Sequence, residues 1–122
     1  MFYLAFENSN CKDYATEKFY ISLDMAIVPI VMGGANYSAI APPGSYIDAN
    51  DFSSAQELAK EIKRLSNARE EYLNFFGWKA KTEVMRGFGR LGCNLCKALH
   101  KSKPAKTYQD LGGWWRGEGK CS

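Results

Sequence analysis

Two short apolar runs, Phe2–Phe6 and Ile27–Met32, constrain this chain more than anything else in it. Each reads as a buried strand, the first ended by Glu7-Asn8-Ser9-Asn10 and the second by Gly33-Gly34. Between them Ala15, Phe19, Leu23 and Ala26 recur at helical spacing on one face. They follow Asp13, whose carboxylate is a good N-cap for the free amides of the next turn. Pro29 brings no donor, so it fits a strand only near the strand's start or on an edge. A short helix is expected over Asn36–Ala41, stopped by Pro42-Pro43, and a brief third strand over Tyr46–Asp48. Ser54 and Glu57 have the spacing of a capping box, ahead of an apolar stripe of Leu58, Ile62 and Leu65. A further helical stretch from Ala68 to Phe76 offers Tyr72, Leu73, Phe75 and Phe76 to the core. Less regular helices are expected near Val84–His100 and Lys106–Trp115. The order strand–helix–strand–helix–strand, followed by helices, predicts an α/β sheet with a helical tail.

A length of 122 residues suits one domain with a real core and not two. Apolar residues make up 46% and charged ones 24%, which argues against disorder. The longest apolar run, Met25–Met32, is interrupted by Pro29 and falls far below the roughly 20 residues of a membrane span. The N-terminus has neither the basic flank nor the cleavable apolar stretch of a signal peptide. Met1 leads straight into a strand, as though the chain began mid-protein. Charge is unevenly spread. Up to Ala59 there are two lysines against seven acids, and from Lys60 onward fourteen basic residues against six acids. A basic half is either a surface for an anionic partner or a solvated amphipathic one.

In an open α/β sheet ligands bind beyond the carboxyl ends of the strands. Glu7-Asn8-Ser9 and Gly33-Gly34-Ala35-Asn36 lie there, polar or backbone-rich, and suit a phosphate or sugar. A helix starting near Tyr14 would turn its free amides to the same crevice, with Tyr14, Thr16, Glu17 and Lys18 in its first turns. Lys18 offers a cation for phosphate, and Glu17 an acceptor pair for ribose hydroxyls. On pattern alone the same residues also describe a solvent-facing helix start with an incidental charge pair. Cys93-x-x-Cys96, with His100 and a distant Cys121, has ligand types that suit zinc, but disulfides or plain thiols fit as well. A basic zinc- or nucleic-acid-binding module built on Cys93, Cys96 and His100 is therefore the competing class of function. Lys97, Lys101, Lys103 and Lys106 have no aromatic interleaving that would stack bases, so they read as a solvated helix face, with no nucleic acid as partner. Trp78, Trp114 and Trp115 are expected to pack in the core or at a domain interface. Asn36-Tyr37-Ser38 is a glycosylation sequon, expected to stay unused beside the crevice.

FENSNCKDYATEK at Phe6–Lys18, VPIVMGGANYSAIAPPGSYIDANDFSS at Val28–Ser54, ELAKEIKRL at Glu57–Leu65 and YLNFFGWK at Tyr72–Lys79 resemble the C-terminal half of α1,3-fucosyltransferases. The resemblance runs from Phe2 through the CNLC of Cys93–Cys96 to the tryptophan pair. It implies the Rossmann-like, GDP-fucose-binding half of a GT-B glycosyltransferase. Carried over by position, the donor contacts fall on Tyr3, Asn8, Tyr14, Glu17 and Lys18. The implied reaction passes fucose from GDP-fucose, with inversion, to the 3-hydroxyl of an N-acetylglucosamine or glucose in a glycan acceptor. The family's base and acceptor site lie in the N-terminal half. Residues 1–122 are therefore expected to be a single donor-binding domain without the acceptor domain or membrane anchor, inactive in isolation and containing no catalytic base. No metal or cofactor is expected, and no Asp-x-Asp pair follows a strand. The family's compartment is the Golgi lumen, reached as a membrane-anchored protein. There the CxxC cysteines are bridged to cysteines near the start of the catalytic region, which would leave Cys93 and Cys96 unpaired in these residues.

Overall fold

A computed structural model of the chain describes residues 1–82, 91–102, 104–118 and 121. Strands β1 (Phe2–Phe6), β2 (Val28–Met32) and β3 (Ile47–Asp48) form a parallel sheet in the order β1-β2-β3. Phe2 pairs with Val28 and Phe6 with Met32, so the first two strands end level. Pro29 sits second in the central strand. The Val28 amide donates to the Met1 carbonyl on the β1 side (3.2 Å). Alternation turns position 29 towards β3, which begins only opposite Ile30, so the missing donor interrupts no ladder bond.

Side chains alternate across the sheet and define two cores. Ala5 and Val31 face Phe19 and Leu23 of α1 (Glu17–Asp24) and Tyr37 of α2 (Tyr37–Ile40). Val28, Ile30 and Ile47 meet Leu58 and Leu65 of α3 (Ala55–Asn67), with Phe2, Phe6, Tyr72, Phe75 and Phe76 packed around them. The result is helix, sheet and helix in three layers, the arrangement a parallel sheet needs to cover both faces. Ser54 Oγ accepts from the Glu57 amide (3.2 Å) and caps α3 as its spacing predicts. The Tyr72 hydroxyl of α4 (Arg69–Asn74) accepts from the Met1 amino group (2.6 Å) and donates to the Met1 carbonyl (2.7 Å), tying α4 to the start of the sheet.

Four sequence expectations change. Helix α1 begins at Glu17 and not near Tyr14, with Thr16 as N-cap. Asp13 does not cap it, because the Tyr14 amide closes a turn onto the Cys11 carbonyl (3.2 Å) and Asp13 occupies that turn at φ +60°. The helix ends at Asp24, so Ala26 lies outside it and is exposed. Leu73 points to solvent, while its neighbours Tyr72, Phe75 and Phe76 pack. In the tail, α5 covers Leu91–Leu99 and α6 covers Leu111–Glu118. The span 84–90 of the first expected tail helix lies outside the described residues. The stretch 106–110 is not helical, and every described residue from 91 to 112 is exposed.

Candidate functional site

Because β1 and β2 end level, the segments leaving them emerge side by side, and the Glu7 amide donates to the Met32 carbonyl (3.1 Å). Glycine allows this closeness. A Cβ on Gly34 would overlap the Cys11 carbonyl, and one on Gly33 would stand 2.7 Å from the Tyr37 hydroxyl and 3.2 Å from Glu7 Cγ.

The start of α1 closes the third side. Glu7 Oε1 accepts from the Thr16 amide and Oε2 from the Thr16 hydroxyl, both at 2.8 Å. Lys18 Nζ reaches back to donate to the Phe6 carbonyl (3.0 Å) and to Asn8 Oδ1 (2.7 Å). An ammonium carries three donors, so these two bonds hold the lysine in place and leave one N–H for an anion. Glu17 is exposed in the same first turn.

Asn8, Glu17 and Lys18 are therefore brought together at one edge of the sheet. Tyr14 lies before α1, with its ring edge-to-face against Trp115 of α6 at 6.3 Å. Tyr3 stands apart: it is opposite Pro29 inside β1, 44% exposed, about 10 Å along the strand from Phe6. A cavity of about 130 Å³ beside the crevice is lined by Asp13, Tyr20 and Asn36 among others. Asn36, the sequon asparagine, is exposed, and its Oδ1 accepts from Ser38 Oγ (2.7 Å). A larger cavity of about 430 Å³ beside β3 has Asp48 and Asp51 and, among the described residues, no cation in its wall, which disfavours a polyphosphate there.

Three features escaped the sequence reading. Glu7 joins two elements through Thr16. Tyr37 is buried, and its hydroxyl has no hydrogen-bond partner among the described residues. Burial, reinforced by the Glu7 and Asp48 charges, pushes its pKa up to about 12. Cys11, buried beneath Gly34, forms a disulfide with Cys121 across 110 positions of sequence. That bond and the Tyr14–Trp115 contact bring α6 to the loop before α1. Of the tryptophans, Trp78 packs on the core as expected. Trp114 and Trp115 lie on α6 of the tail, Trp114 tilted against Tyr108 at 4.9 Å and Trp115 edge-to-face with Tyr14.

Cys93 and Cys96 are exposed free thiols on α5. Cys121, the distant fourth ligand of a zinc reading, is already bonded to Cys11. Among the described residues no three His, Cys, Asp or Glu side chains gather as a metal site. Nor is any described helix long and apolar enough to cross a membrane.

Residues 1–114 match the sequence profile of the C-terminal part of glycosyltransferase family 10 (fucosyltransferase). The chain belongs to this family. It is 43% identical to glycoprotein 3-α-L-fucosyltransferase A of Drosophila melanogaster, over 99% of this chain and 25% of that protein. Identity is 40% with α-(1,3)-fucosyltransferase C of the same organism, over 93% of this chain and 27% of the relative. With human α-(1,3)-fucosyltransferase 7 it is 35%, over 94% and 34%. The chain thus spans a quarter to a third of the length of these curated family 10 relatives. A solved α1,3-fucosyltransferase superposes with a TM-score of 0.59 at 20% identity, covering 90% of this chain and 34% of that one. The family 10 fold expected from the sequence, the Rossmann-like half of a GT-B glycosyltransferase with a helical tail, is the fold found.

Proposed function

We propose that this chain is the donor-binding part of an α1,3-fucosyltransferase. It holds GDP-fucose while fucose passes, with inversion, to the 3-hydroxyl of N-acetylglucosamine or glucose in a glycan acceptor. The observation that supports this best is the Lys18 ammonium, anchored by two bonds beside the N-terminus of α1 with one donor to spare. As the bond to fucose breaks, negative charge grows on the diphosphate, and a fixed cation stabilises it without reorganising. Asn8 keeps its Nδ2 hydrogens outside the bond to Lys18 for a phosphate or ribose oxygen. Glu17 offers a carboxylate to ribose hydroxyls, and Tyr14 a ring and hydroxyl at the crevice rim. On this reading a positioned lysine and helix-end amides serve the diphosphate, so no metal is needed for binding. The general base and the acceptor site are supplied by residues outside these 122, in the Golgi lumen where such enzymes act.

Calorimetric titration of the chain with GDP tests the site. Lys18→Ala and Glu17→Ala should each weaken binding roughly tenfold or more, since each removes a charge-assisted bond. Chelator should leave the affinity unchanged. Equal affinity in the wild type and both variants would refute the assignment. With labelled GDP-fucose and N-acetylglucosamine acceptors, the chain alone should bind donor and transfer none. Clear transfer would place a base within these residues, whereas slow release of free fucose by water would not.

A further inference from the structure

Glu7 joins the end of β2 to the start of α1. Its amide is bonded to the end of β2, and its two carboxylate oxygens are spent on the amide and hydroxyl of Thr16, the N-cap of α1. A Cβ at position 33 would stand 3.2 Å from the Glu7 Cγ, so glycine there eases the close approach. Thr16 makes no cap of its own to α1, so the carboxylate of Glu7 holds the helix start from nine residues away. The neighbouring bridge, Lys18 to Phe6 and Asn8, spans the same two segments. Its geometry depends on how far the start of α1 stands from the end of β1, and Glu7 sets that distance.

We infer that Glu7 is a positioning residue of the donor site. It docks α1 against the end of β1 through Thr16 and so places the Lys18 ammonium and Asn8 side by side for a nucleoside diphosphate. This role rests on the donor-site reading above. Glu7 is thereby also committed away from base chemistry, since both its oxygens already accept bonds within the fold.

The decisive measurement is a thermodynamic cycle read by GDP affinity, with thermal melts run alongside. Glu7→Gln keeps the side-chain shape but presents an NH2 group to one of the two Thr16 donors, so GDP should bind about tenfold more weakly. If Glu7 acts through Lys18, Glu7→Gln should add little once Lys18→Ala is present. A purely structural contribution would instead cost the same fold-change in either background. Thr16→Val removes one of the two bonds of the same bridge from the other side, the hydroxyl's to Oε2, and serves if Glu7→Gln fails to fold. Thr16→Ser should recover most of the affinity that Thr16→Val loses. Additive losses, or unchanged affinity in Glu7→Gln and Thr16→Val, would overturn the role while leaving the donor site standing. No GDP binding by the wild type would overturn the donor-site reading and this role with it.

Discussion

A phenol packed out of reach of water normally finds a partner, because an unsatisfied buried hydroxyl costs about 1–3 kcal/mol. At Tyr37 the ring is held edge-on by Phe19 (5.1 Å) and tilted against Tyr46 (5.8 Å), while its oxygen meets the approach of Gly33. The packing of the ring fixes where the hydroxyl must go. With the folded pKa pushed up to about 12 from 10.0, the unfolded chain loses this proton first as pH rises. Its contribution to stability is therefore complete below about pH 10 and is lost as pH climbs towards 12. Tyr37→Phe should leave neutral-pH stability unchanged or raise it by up to about 1 kcal/mol, and make the alkaline decline shallower. Some decline should persist, because burial also raises the pKa of Tyr46 and Tyr72. Urea melts from pH 8 to pH 11.5 provide the check. A loss at pH 8 of more than about 2 kcal/mol would mean that the hydroxyl has a partner after all.

Helix α1 has eight residues, too few to stand on its own propensity, and both of its ends are held by side chains from elsewhere. Glu7 holds the start. At the other end Lys79 Nζ donates to the carbonyls of Asp24 (3.1 Å) and Met25 (3.2 Å), where the helix dipole favours a cation, and also lies over the Trp78 ring. Lys79→Met keeps the apolar stem and removes the charge, so it should cost about 1 kcal/mol, read as a lower urea midpoint at unchanged slope. No change would mean that the helix end is satisfied by solvent. This helix also explains what the sequence revealed and what it hid. The strands were legible because compact apolar runs bounded by glycine and polar clusters have few other uses. The start of α3 was legible because its cap, Ser54 to Glu57, is local. The start of α1 was misplaced by about one turn because its N-cap, Thr16, is held by Glu7 just beyond β1, and the obvious local candidate, Asp13, is consumed by a turn. That Asn8, Glu17 and Lys18 lie together at one edge of the sheet was legible because they crowd one stretch of chain. Glu7 was legible as a crevice residue, but its bond to Thr16 was not, because folding brings that partner to it.

At the scale of the whole molecule a three-layer body carries a basic tail. Among the described residues all of α5 and most of α6 face solvent, and tail and body meet at Tyr14–Trp115 and at Cys11–Cys121. No spacing rule pairs cysteines 110 positions apart, which is why this link could not be read in advance. In the chain-entropy account a loop of that length stabilises by about 4–5 kcal/mol, by restricting the unfolded chain. That account assumes that cutting the bond leaves the native state as ordered as before. Here it does not, since a tail with little buried surface gains freedom too once released, and this offsets most of the effect. Cys121→Ser should therefore cost less than about 2 kcal/mol, a drop of several degrees in melting temperature. The same change should abolish exchange protection over 91–118 and red-shift the Trp115 emission. Cys93→Ser/Cys96→Ser is the background to use, because exposed free thiols in the same chain can exchange with the disulfide. A loss of about 4 kcal/mol or more would show that the tail is part of the folded core. Unchanged tail protection and emission would show that contacts other than the disulfide hold α6 against the loop before α1.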